Sequence, residues 1–462
     1  MFSAQTYIDR RNDLIDMVGY GMIFIPGNGE VPMNYAANEY HFRQDSSFLY
    51  YFGIDGSGYD AIIDIDNDRT IIFGNDRTLD DMVWMGPELT TAEKADAVGV
   101  EETAPSKALG TILKTALLSG QHVHFLPQYR WENKMKIEEY LGIKIGAVNM
   151  FASEILTRSV ISQRSVKSEE EIAEIEKAIE ISYEMNTTAM RLVRPGIYER
   201  EVYGAIEGIS LSKGSGVSFP IIFSVNGETL HNHYHGNLMR EGQIAVLDSG
   251  SESLMHYASD ITRTIPVSGK FTDIQKEIYN NVLRAQLASI EMIKPGVSFR
   301  ECHLKAAEVI TDGLKEIGIM KGNTQDAVSN GAHALFMPHG LGHMMGLDVH
   351  DMEGLNENLV GYDDKIKRSE QFGLSALRLG RELEPGFVLT VEPGTYFIPR
   401  LINNWKKEKT NAEYLNFDKL DEFMDFGGIR IEDDVLVTED GYRVLGKPIP
   451  KTVEEVEQAC SL

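Results

Sequence analysis

Four acidic residues stand at or beside the ends of apolar, strand-like segments, where burial normally excludes a charged side chain. They are Asp248 and Asp260 in IAVLDSGSESLMHYASDITRTIPVSG, Glu392 in VLTVEPGTYF and Glu432 in FGGIRIEDDVLV. Carboxylates that meet within a few Å repel one another, and their pKa values rise until some of them are neutral. Divalent cations remove that conflict, so the pattern predicts a metal site.

Histidines are concentrated in two windows of the chain. Of the 12 histidines, four lie between residues 231 and 256 and four between residues 333 and 350. We predict that one of them, His343, completes the shell of a second metal ion. An oxygen-rich set with one nitrogen favours Mn²⁺, Co²⁺ or Fe²⁺ over a structural zinc. The sequence therefore predicts two divalent ions that share and activate a water molecule, with Mn²⁺ preferred and Co²⁺, Fe²⁺ or Zn²⁺ as alternatives.

Each of these five residues has an ordinary structural explanation when it is taken alone. Asp248 and Asp260 fit turns, and Glu432 is followed by further acidic residues that are typical of a solvated cluster. His343 fits a glycine-rich loop, and Glu392 fits the end of a strand. Their joint occurrence in this order favours a single site, because five independent coincidences are far less probable than one constellation.

The elements that must position these residues fall into two regions. Within the first 160 or so residues, YDAIIDID, RTIIFGN and GQHVHFLPQ are typical of strands, whereas TAEKADAVGV and SKALGTILKTALLSG have helical spacing. A long helix is predicted after a capping Ser168, ending at Pro195 and Gly196. We therefore place an N-terminal α/β domain at residues 1–163 and a catalytic domain at residues 164–462.

An internal similarity indicates that the second domain consists of two related halves. MRLVRPGIYEREVYGAIE, around Pro195, resembles EMIKPGVSFRECHLKAAEVI, around Pro295. Each is a helix that ends at a basic residue, Pro and Gly before another helix begins, a stop that also arises by chance. Because residues beyond the turn align as well, we favour a repeat. The closing TVEEVEQACSL is typical of a short solvated helix.

Composition excludes several classes of protein. The formal net charge of -26 disfavours a nucleic-acid partner, because phosphate contacts need a basic face. No apolar run approaches the roughly 20 residues of a membrane span, and the N-terminus lacks the apolar region of a secretory signal. With Cys302 and Cys460 as the sole cysteines, a disulfide framework is not expected. These features favour a cytoplasmic protein.

The motifs together resemble the pita-bread metallopeptidases, and within them the Xaa-Pro group that contains prolidase and aminopeptidase P. The resemblance rests on LDSG…ASDITRT, HGLGHMMGLDVHD, VLTVEPG and GGIRIEDDVLVT, and FRQDSSFLYYFGI with WMG at Trp84 resembles the creatinase-like domain of this group. It implies an α/β N-terminal domain followed by an α+β pita-bread domain, with a curved antiparallel sheet and pseudo-twofold halves. It also implies a homodimer.

The resemblance implies a role for each metal ligand. Asp248 would chelate one ion, Asp260 and Glu432 would bridge both, and His343 and Glu392 would hold the other. Glu392 would also carry a proton from the water to the departing proline nitrogen. The interval from Asp248 to Asp260 is one residue longer than is usual in the family, so the extra residue must be absorbed in a turn if the aspartates are to converge.

Further residues would act around the metals. His231 and His350 would stabilise the tetrahedral intermediate and contact substrate, and His339 would lie further out among the substrate-binding residues. Arg430 would orient the acidic ligands or bind substrate. Structural roles are expected for the remaining histidines of the two windows, namely His233, His235, His256 and His333.

Within the group, the insertion between Glu392 and Glu432, Arg378 in LSALRLGRELEPG, and IPKTVEEVEQ favour an Xaa-Pro dipeptidase. Arg378 would bind the C-terminal carboxylate of a dipeptide, a bidentate contact that suits a guanidinium group. The alternative within the family is aminopeptidase P, which acts on longer Xaa-Pro peptides and shares the five ligands. The alternative of another class is a metal-free binding protein with the same fold, in which the ligand set is typically broken.

Overall fold

The computed structural model describes residues 1–461. The chain divides into two compact units, one made of Met1–Arg164 with Met352–Leu359 and the other of Ser165–Asp351 with Val360–Leu462. Among the described residues, every helix is too short or too polar to cross a bilayer.

The first unit is an α/β domain built on one mixed sheet of five strands, in the order β4-β3-β2-β1-β5. The strands are β1 (Met22–Pro26), β2 (Asp60–Asp64), β3 (Arg69–Phe73), β4 (Glu102–Ala104) and β5 (Val123–Phe125). The helices are α1 (Ala4–Val18), α2 (Ser46–Phe52), α3 (Leu79–Met85), α4 (Thr91–Asp96), α5 (Leu109–Leu118), α6 (Trp131–Leu141) and α7 (Glu154–Ser165). Every residue of β1 and β2 is buried, as expected for central strands covered on both faces. The strands predicted from YDAIIDID, RTIIFGN and GQHVHFLPQ are β2, β3 and β5.

The second unit combines long helices with short antiparallel strands. Its helices are α8 (Glu169–Leu192), α9 (Glu199–Lys213), α10 (Asp273–Glu291), α11 (Phe299–Glu316), α12 (Thr324–Ser329), α14 (Pro399–Glu408), α15 (Phe417–Leu420) and α16 (Val453–Ala459), whereas most of α13 (Glu353–Gly361) belongs to the first unit. Its strands are β6 (Gly216–Val217), β7 (Ile222–Ser224), β8 (Ile244–Ser249), β9 (Ser251–Glu252), β10 (Ile261–Pro266), β11 (Val388–Val391), β12 (Gly394–Tyr396), β13 (Gly428–Arg430), β14 (Asp433–Val437) and β15 (Tyr442–Val444).

Helix α8 begins and ends where the sequence predicts. The Ser168 side chain accepts a hydrogen bond from the Glu171 amide, and the Glu171 carboxylate accepts one from the Ser168 amide. This reciprocal cap satisfies two amides that the helix itself leaves without partners. The helix ends at Leu192, shortly before Pro195.

Two halves with the same order of elements form the second unit, as the sequence repeat predicts. In each half a pair of packed helices, α8 with α9 or α10 with α11, precedes strands of the sheet. Gly196 and Gly296 both adopt positive φ, at 91° and 82°, between the two helices of their pair. Their amides donate to Met239 O and Leu383 O, at 3.0 and 2.9 Å. The matching turns and contacts support a pseudo-twofold relation.

Strand register carries the acidic residues to neighbouring positions. In the β10-β8-β7 sheet, Asp248 lies opposite Thr262. In the β11-β14-β15 sheet, Val391 lies opposite Asp433. Glu392 directly follows β11 and Glu432 directly precedes β14, so both stand at the same end of this strand pair.

The C-terminal helix α16 differs from the expectation of a solvated helix. Val453 and Val456 are buried on it, and the Glu457 carboxylate accepts a hydrogen bond from the Phe271 amide. One face of α16 therefore packs on the unit, although its remaining acidic residues are exposed.

Candidate active site

Three of the predicted ligands meet in one buried cluster. Ligand atoms of Asp260, His343 and Glu432 all lie within 4.8 Å of one another. His343 Nε2 is 3.4 Å from Asp260 Oδ2 and 3.9 Å from Glu392 Oε1, so the fourth residue stands at the edge of the same cluster. Asp260 directly precedes β10, Glu392 directly follows β11 and Glu432 directly precedes β14. His343 lies on the loop before β11.

The carboxylates of this cluster carry oxygen atoms that lack hydrogen-bond partners. Among the described residues, Asp248 Oδ1, Asp260 Oδ1 and Glu432 Oε1 are buried without a partner. Burial, and then the neighbouring carboxylates, raise the pKa values of Asp260 and Glu432 well above their ordinary values. Burial likewise raises the pKa of Glu392 to about 8. Unpaired buried oxygens are costly, and carboxylate oxygens with one imidazole nitrogen suit divalent transition ions, so the residues fit a metal centre.

Asp248 is held to the cluster through Arg430. Arg430 donates from Nη2 to Asp248 Oδ2 at 2.7 Å and from Nε to Thr262 Oγ1 at 3.1 Å. The Thr262 hydroxyl in turn donates to Glu432 Oε2 at 2.6 Å. A buried guanidinium beside acidic ligands offsets part of their charge and fixes their orientation. This geometry matches the orienting role that the sequence left open for Arg430.

The ring of His343 presents its Nε2 atom to the carboxylates. Its Nδ1 donates to the Met344 carbonyl at 3.0 Å, which leaves Nε2 as an unprotonated nitrogen facing Asp260. Burial lowers the pKa of His343 well below its ordinary value, and the nearby His350 adds to this effect. The His343 and His350 ring centroids are 4.1 Å apart. A neutral imidazole fixed through its other nitrogen is the usual form of a histidine ligand.

His339 is linked to Arg430 through a tyrosine hydroxyl. His339 Nδ1 donates to the Gly340 carbonyl at 2.8 Å, and His339 Nε2 accepts from the Tyr396 hydroxyl at 3.1 Å. The same hydroxyl accepts from Arg430 Nη1 at 2.7 Å. Burial lowers the pKa of His339 to about 3, so the ring is neutral.

His231 and Arg378 lie within electrostatic range of the cluster. His231, on the loop after β7, is exposed as a residue, but partial desolvation of its ring lowers its pKa. Asp248 opposes that shift, whereas Arg430, His350 and Arg378 add to it. The positive charge of Arg378 also acts against the raised pKa of Glu392. The charges of both predicted substrate-binding residues are therefore felt at the same centre.

The interval between the two aspartates folds as a short hairpin. Ser253 donates from its amide to Tyr257 O at 2.8 Å, and His256 adopts a positive φ of 66° at the turn. The Glu252 carboxylate lies 2.5 Å from His256 Nδ1. The interval thus turns back on itself, and the charge of Asp248 contributes to the raised pKa of Asp260.

The other histidines of the two windows lie apart from the cluster. His235 stacks on Tyr203 with ring centroids 4.3 Å apart, and His333 packs against His303 at 6.1 Å. His256 pairs with Glu252, and His233 is exposed.

Three residues of the centre were not singled out from the sequence. Tyr396 joins His339 to Arg430, and Thr262 joins Arg430 to Glu432. The third, Asp434, accepts from the Asp260 amide at 3.0 Å through Oδ2, while its Oδ1 is buried without a partner among the described residues. All three lie two to four residues from a predicted ligand, but their contacts are set by tertiary packing and not by that spacing.

Comparison with known proteins is consistent with this geometry. The model of metallopeptidase family M24 matches residues 173–439, and that of the aminopeptidase P N-terminal domain matches residues 7–124. The chain is 33% identical to the Xaa-Pro dipeptidase of Rattus norvegicus over 91% of this chain and 84% of that protein. It is 32% identical to a probable Xaa-Pro aminopeptidase of Aspergillus clavatus, over 91% of this chain and 88% of that protein.

Solved structures resemble the whole chain. A variant of Escherichia coli aminopeptidase P superposes with a TM-score of 0.82 at 30% identity, covering 100% of this chain and 98% of that one. Proline aminopeptidase P II from Yersinia pestis gives a TM-score of 0.80 at 29% identity, with 100% of both chains covered. From the two matching domains, the relatives and the buried acidic centre, the chain belongs to metallopeptidase family M24, in its Xaa-Pro group, with an α/β N-terminal domain and a pita-bread catalytic domain.

Proposed function

We propose that this protein is a two-metal exopeptidase that hydrolyses the peptide bond before proline, with a preference for Xaa-Pro dipeptides. The observation that carries the proposal is the convergence of Asp260, His343 and Glu432, with carboxylate oxygens that have no hydrogen-bond partner in the described part of the chain. The relatives are named as Xaa-Pro dipeptidases and Xaa-Pro aminopeptidases, which supports the same bond as the target.

Five residues would hold the metal ions in this proposal. Asp248 would bind one ion, Asp260 and Glu432 would bridge the two, and His343 and Glu392 would bind the other. Bound ions supply Lewis acidity and a water molecule of lowered pKa. We propose Mn²⁺, because the donor set is four carboxylates and one imidazole.

The chain's own residues would orient the substrate and move protons. Glu392 would accept a proton from the attacking water and pass it to the departing proline nitrogen. His231 and His350 would stabilise charge on the tetrahedral intermediate, and His339, whose Nδ1 lies 3.8 Å from Glu392 Oε2, would contact substrate beside them. Arg430 would hold Asp248 in place through their 2.7 Å contact.

Substrate length would be set by Arg378. Its charge reaches Glu392, His343 and His231, so a dipeptide bound at the centre could place its C-terminal carboxylate against this guanidinium. Sequence identity supports both candidates equally, with 33% to the rat Xaa-Pro dipeptidase and 32% to the probable Xaa-Pro aminopeptidase of Aspergillus clavatus. The likeness to solved aminopeptidase P structures favours the second candidate, release of the first residue from longer Xaa-Pro peptides.

The deciding experiment compares Ala-Pro with Ala-Pro-Ala after manganese loading, in the parent chain and in Arg378→Ala. For a dipeptidase we expect faster cleavage of the dipeptide, and a loss of dipeptide turnover in the variant of at least about tenfold. Arg400→Ala, at an exposed position on α14, is the matched control. Faster tripeptide cleavage with dipeptide turnover unchanged in Arg378→Ala favours aminopeptidase P. Absence of bound metal and of any Xaa-Pro cleavage favours a binding protein.

Three further proposals concern the protein as a whole. We propose a homodimer, which sedimentation tests. We propose a domain boundary between residues 163 and 164, which limited proteolysis tests. We also propose a cytoplasmic location, which cell fractionation tests. Free thiols at Cys302 and Cys460 support the last of these.

A further inference from the structure

Lys167 and Asp351 form an ion pair that is almost completely removed from solvent. Lys167 Nζ lies 2.9 Å from Asp351 Oδ2, and each side chain is 1% exposed. Surface ion pairs contribute little, but a buried pair leaves an uncompensated charge in the interior when one partner is removed. The pair therefore constrains the position of both chain segments that carry it.

Those two segments lead directly to the candidate metal ligands. The Lys167 amide donates to Gly386 O at 2.8 Å, in the turn before β11, and β11 leads to Glu392. Asp351 ends the segment of residues 343–351, here called the histidine loop, which carries His343 and His350. The Asp351 amide donates to Met344 O at 2.9 Å, and its Oδ1 accepts from the Asp348 amide at 3.3 Å, so Asp351 closes this loop on itself.

Gly346 shows how closely the histidine loop is fitted to the ion pair. A Cβ atom at this position would lie 2.5 Å from Asp351 Oδ2 and 2.8 Å from Lys167 Cε, so a side chain would displace the pair. Gly346 O also accepts from the Ala258 amide at 2.8 Å, in the hairpin between Asp248 and Asp260. The ion pair thus lies against Gly346, which joins the histidine loop to the aspartate hairpin.

We infer that Lys167 is a positioning residue for the metal centre. Its ion pair with Asp351 fixes the histidine loop so that His343 Nε2 faces Asp260 and the His350 ring stays against His343. Loss of the pair lets the loop relax, which moves a metal ligand and a substrate-contacting histidine together. The effect on turnover rests on the proposed function, whereas the effect on metal binding does not.

The test measures Mn²⁺ affinity by titration calorimetry of metal-stripped full-length protein, together with kcat, KM and Tm. Lys167→Met should weaken Mn²⁺ binding by about tenfold or more, and should lower kcat more than it raises KM. The control is Val456→Ala on α16, which removes buried volume from a helix that contributes no proposed ligand. It should lower Tm while Mn²⁺ affinity stays at the parent value.

A second variant separates positioning from stability. Lys167→Met with Asp351→Leu removes both charges and should restore Tm, because two apolar side chains can replace a buried ion pair. Mn²⁺ affinity and kcat should nevertheless stay low. This double variant also gives the answer if Lys167→Met alone does not fold.

The inference is overturned if Mn²⁺ affinity recovers with Tm, or if Lys167→Met behaves like Val456→Ala. If the parent binds Mn²⁺ but cleaves no Xaa-Pro peptide, the proposed function fails while the affinity comparison still decides this inference.

Discussion

At the scale of single residues, Asp260 is surrounded by more acidic charge than a buried carboxylate can tolerate without cations. Asp248, Glu392, Glu432 and Asp434 all raise its pKa after burial itself. Asp260→Asn removes charge from a proposed bridging position, so we expect Mn²⁺ affinity and Xaa-Pro turnover to fall by at least about 100-fold. Metal content and hydrolysis at saturating Mn²⁺ are the measurements. Asp364→Asn, at a solvated site paired with Lys367, is the control, and substantial turnover by metal-loaded Asp260→Asn would refute the bridging role.

The Tyr396 hydroxyl offers a second test, because it joins His339 and Arg430. Tyr396→Phe keeps the buried ring but leaves both groups without that partner, at a cost of roughly 1–3 kcal/mol. We expect a lower Tm and a kcat reduced by about tenfold, with KM less affected. Tyr279→Phe is a matched control, since Tyr279 is also fully buried and donates its hydroxyl to Lys451 O, away from the acidic cluster. Equal losses of kcat in both variants would contradict a role for Tyr396 in the site.

The proposed ligands could be predicted because each stands in a motif with an unusual placement of charge, as with Glu392 directly after a buried strand. Thr262 could not be predicted in the same way. Its hydroxyl matters because strand pairing sets it beside Glu432 and Arg430, 168 to 170 residues away. Lys167 gave no signal either, since its partner is 184 residues distant. Such contacts depend on tertiary packing rather than on local pattern.

At the scale of elements, the features that follow from local signals were predictable. Helix α8 has a capping box and amphipathic spacing, and β2 and β3 are runs of branched residues between turn formers. Several strands of two or three residues, such as β6, β7 and β15, were not predicted, because they form only against partners supplied by the fold. The burial of Val456 on α16 has the same origin.

The packing of α11 predicts a pH dependence of stability. His303 on α11 and the nearby His333 are fully buried, and burial lowers their pKa values to about 3 and about 4. The unfolded chain binds more protons between these values and about 6.5, so this contribution to stability is complete above pH 6.5 and is lost as pH falls. Each ring accounts for up to about 1.4 kcal/mol per pH unit.

Urea midpoints measured between pH 4.5 and 7.5 test this expectation. In His303→Leu the midpoint should depend less steeply on pH than in the parent, because one buried titrating group is gone. His233→Leu, at an exposed position, should leave the slope unchanged. Parallel slopes for the parent and His303→Leu would show that His303 does not remain neutral in the folded protein.

At the scale of the whole molecule, protons and metal ions should compete for the same folded protein. In the metal-free state the pKa of Glu392 is raised to about 8, and those of Asp260 and Glu432 are raised further above their ordinary values. A carboxylic acid whose pKa is higher in the folded chain than in the unfolded chain keeps its proton up to a higher pH in the folded chain. Stability is therefore lost as pH rises from about 4.5 through 8, in the opposite sense to the buried histidines. Above pH 7 the histidine contribution is already complete, so the acidic centre should set the slope up to about pH 8, where the thiols of Cys302 and Cys460, whose pKa values burial raises to about 12, begin to add to it.

Divalent ions replace those protons, so the stabilisation by metal should grow with pH. Tm measured in EDTA should fall between pH 7 and 9, whereas Tm with excess Mn²⁺ should stay nearly constant, and the difference should widen. Glu392→Gln removes the group that titrates near pH 8 and should flatten the fall seen in EDTA. Glu439→Gln, outside the cluster on the exposed turn after β14, should not. A metal-free protein whose Tm rises over this interval would mean that the carboxylates do not share one desolvated site, and the metal centre proposed for this chain would lose its physical basis.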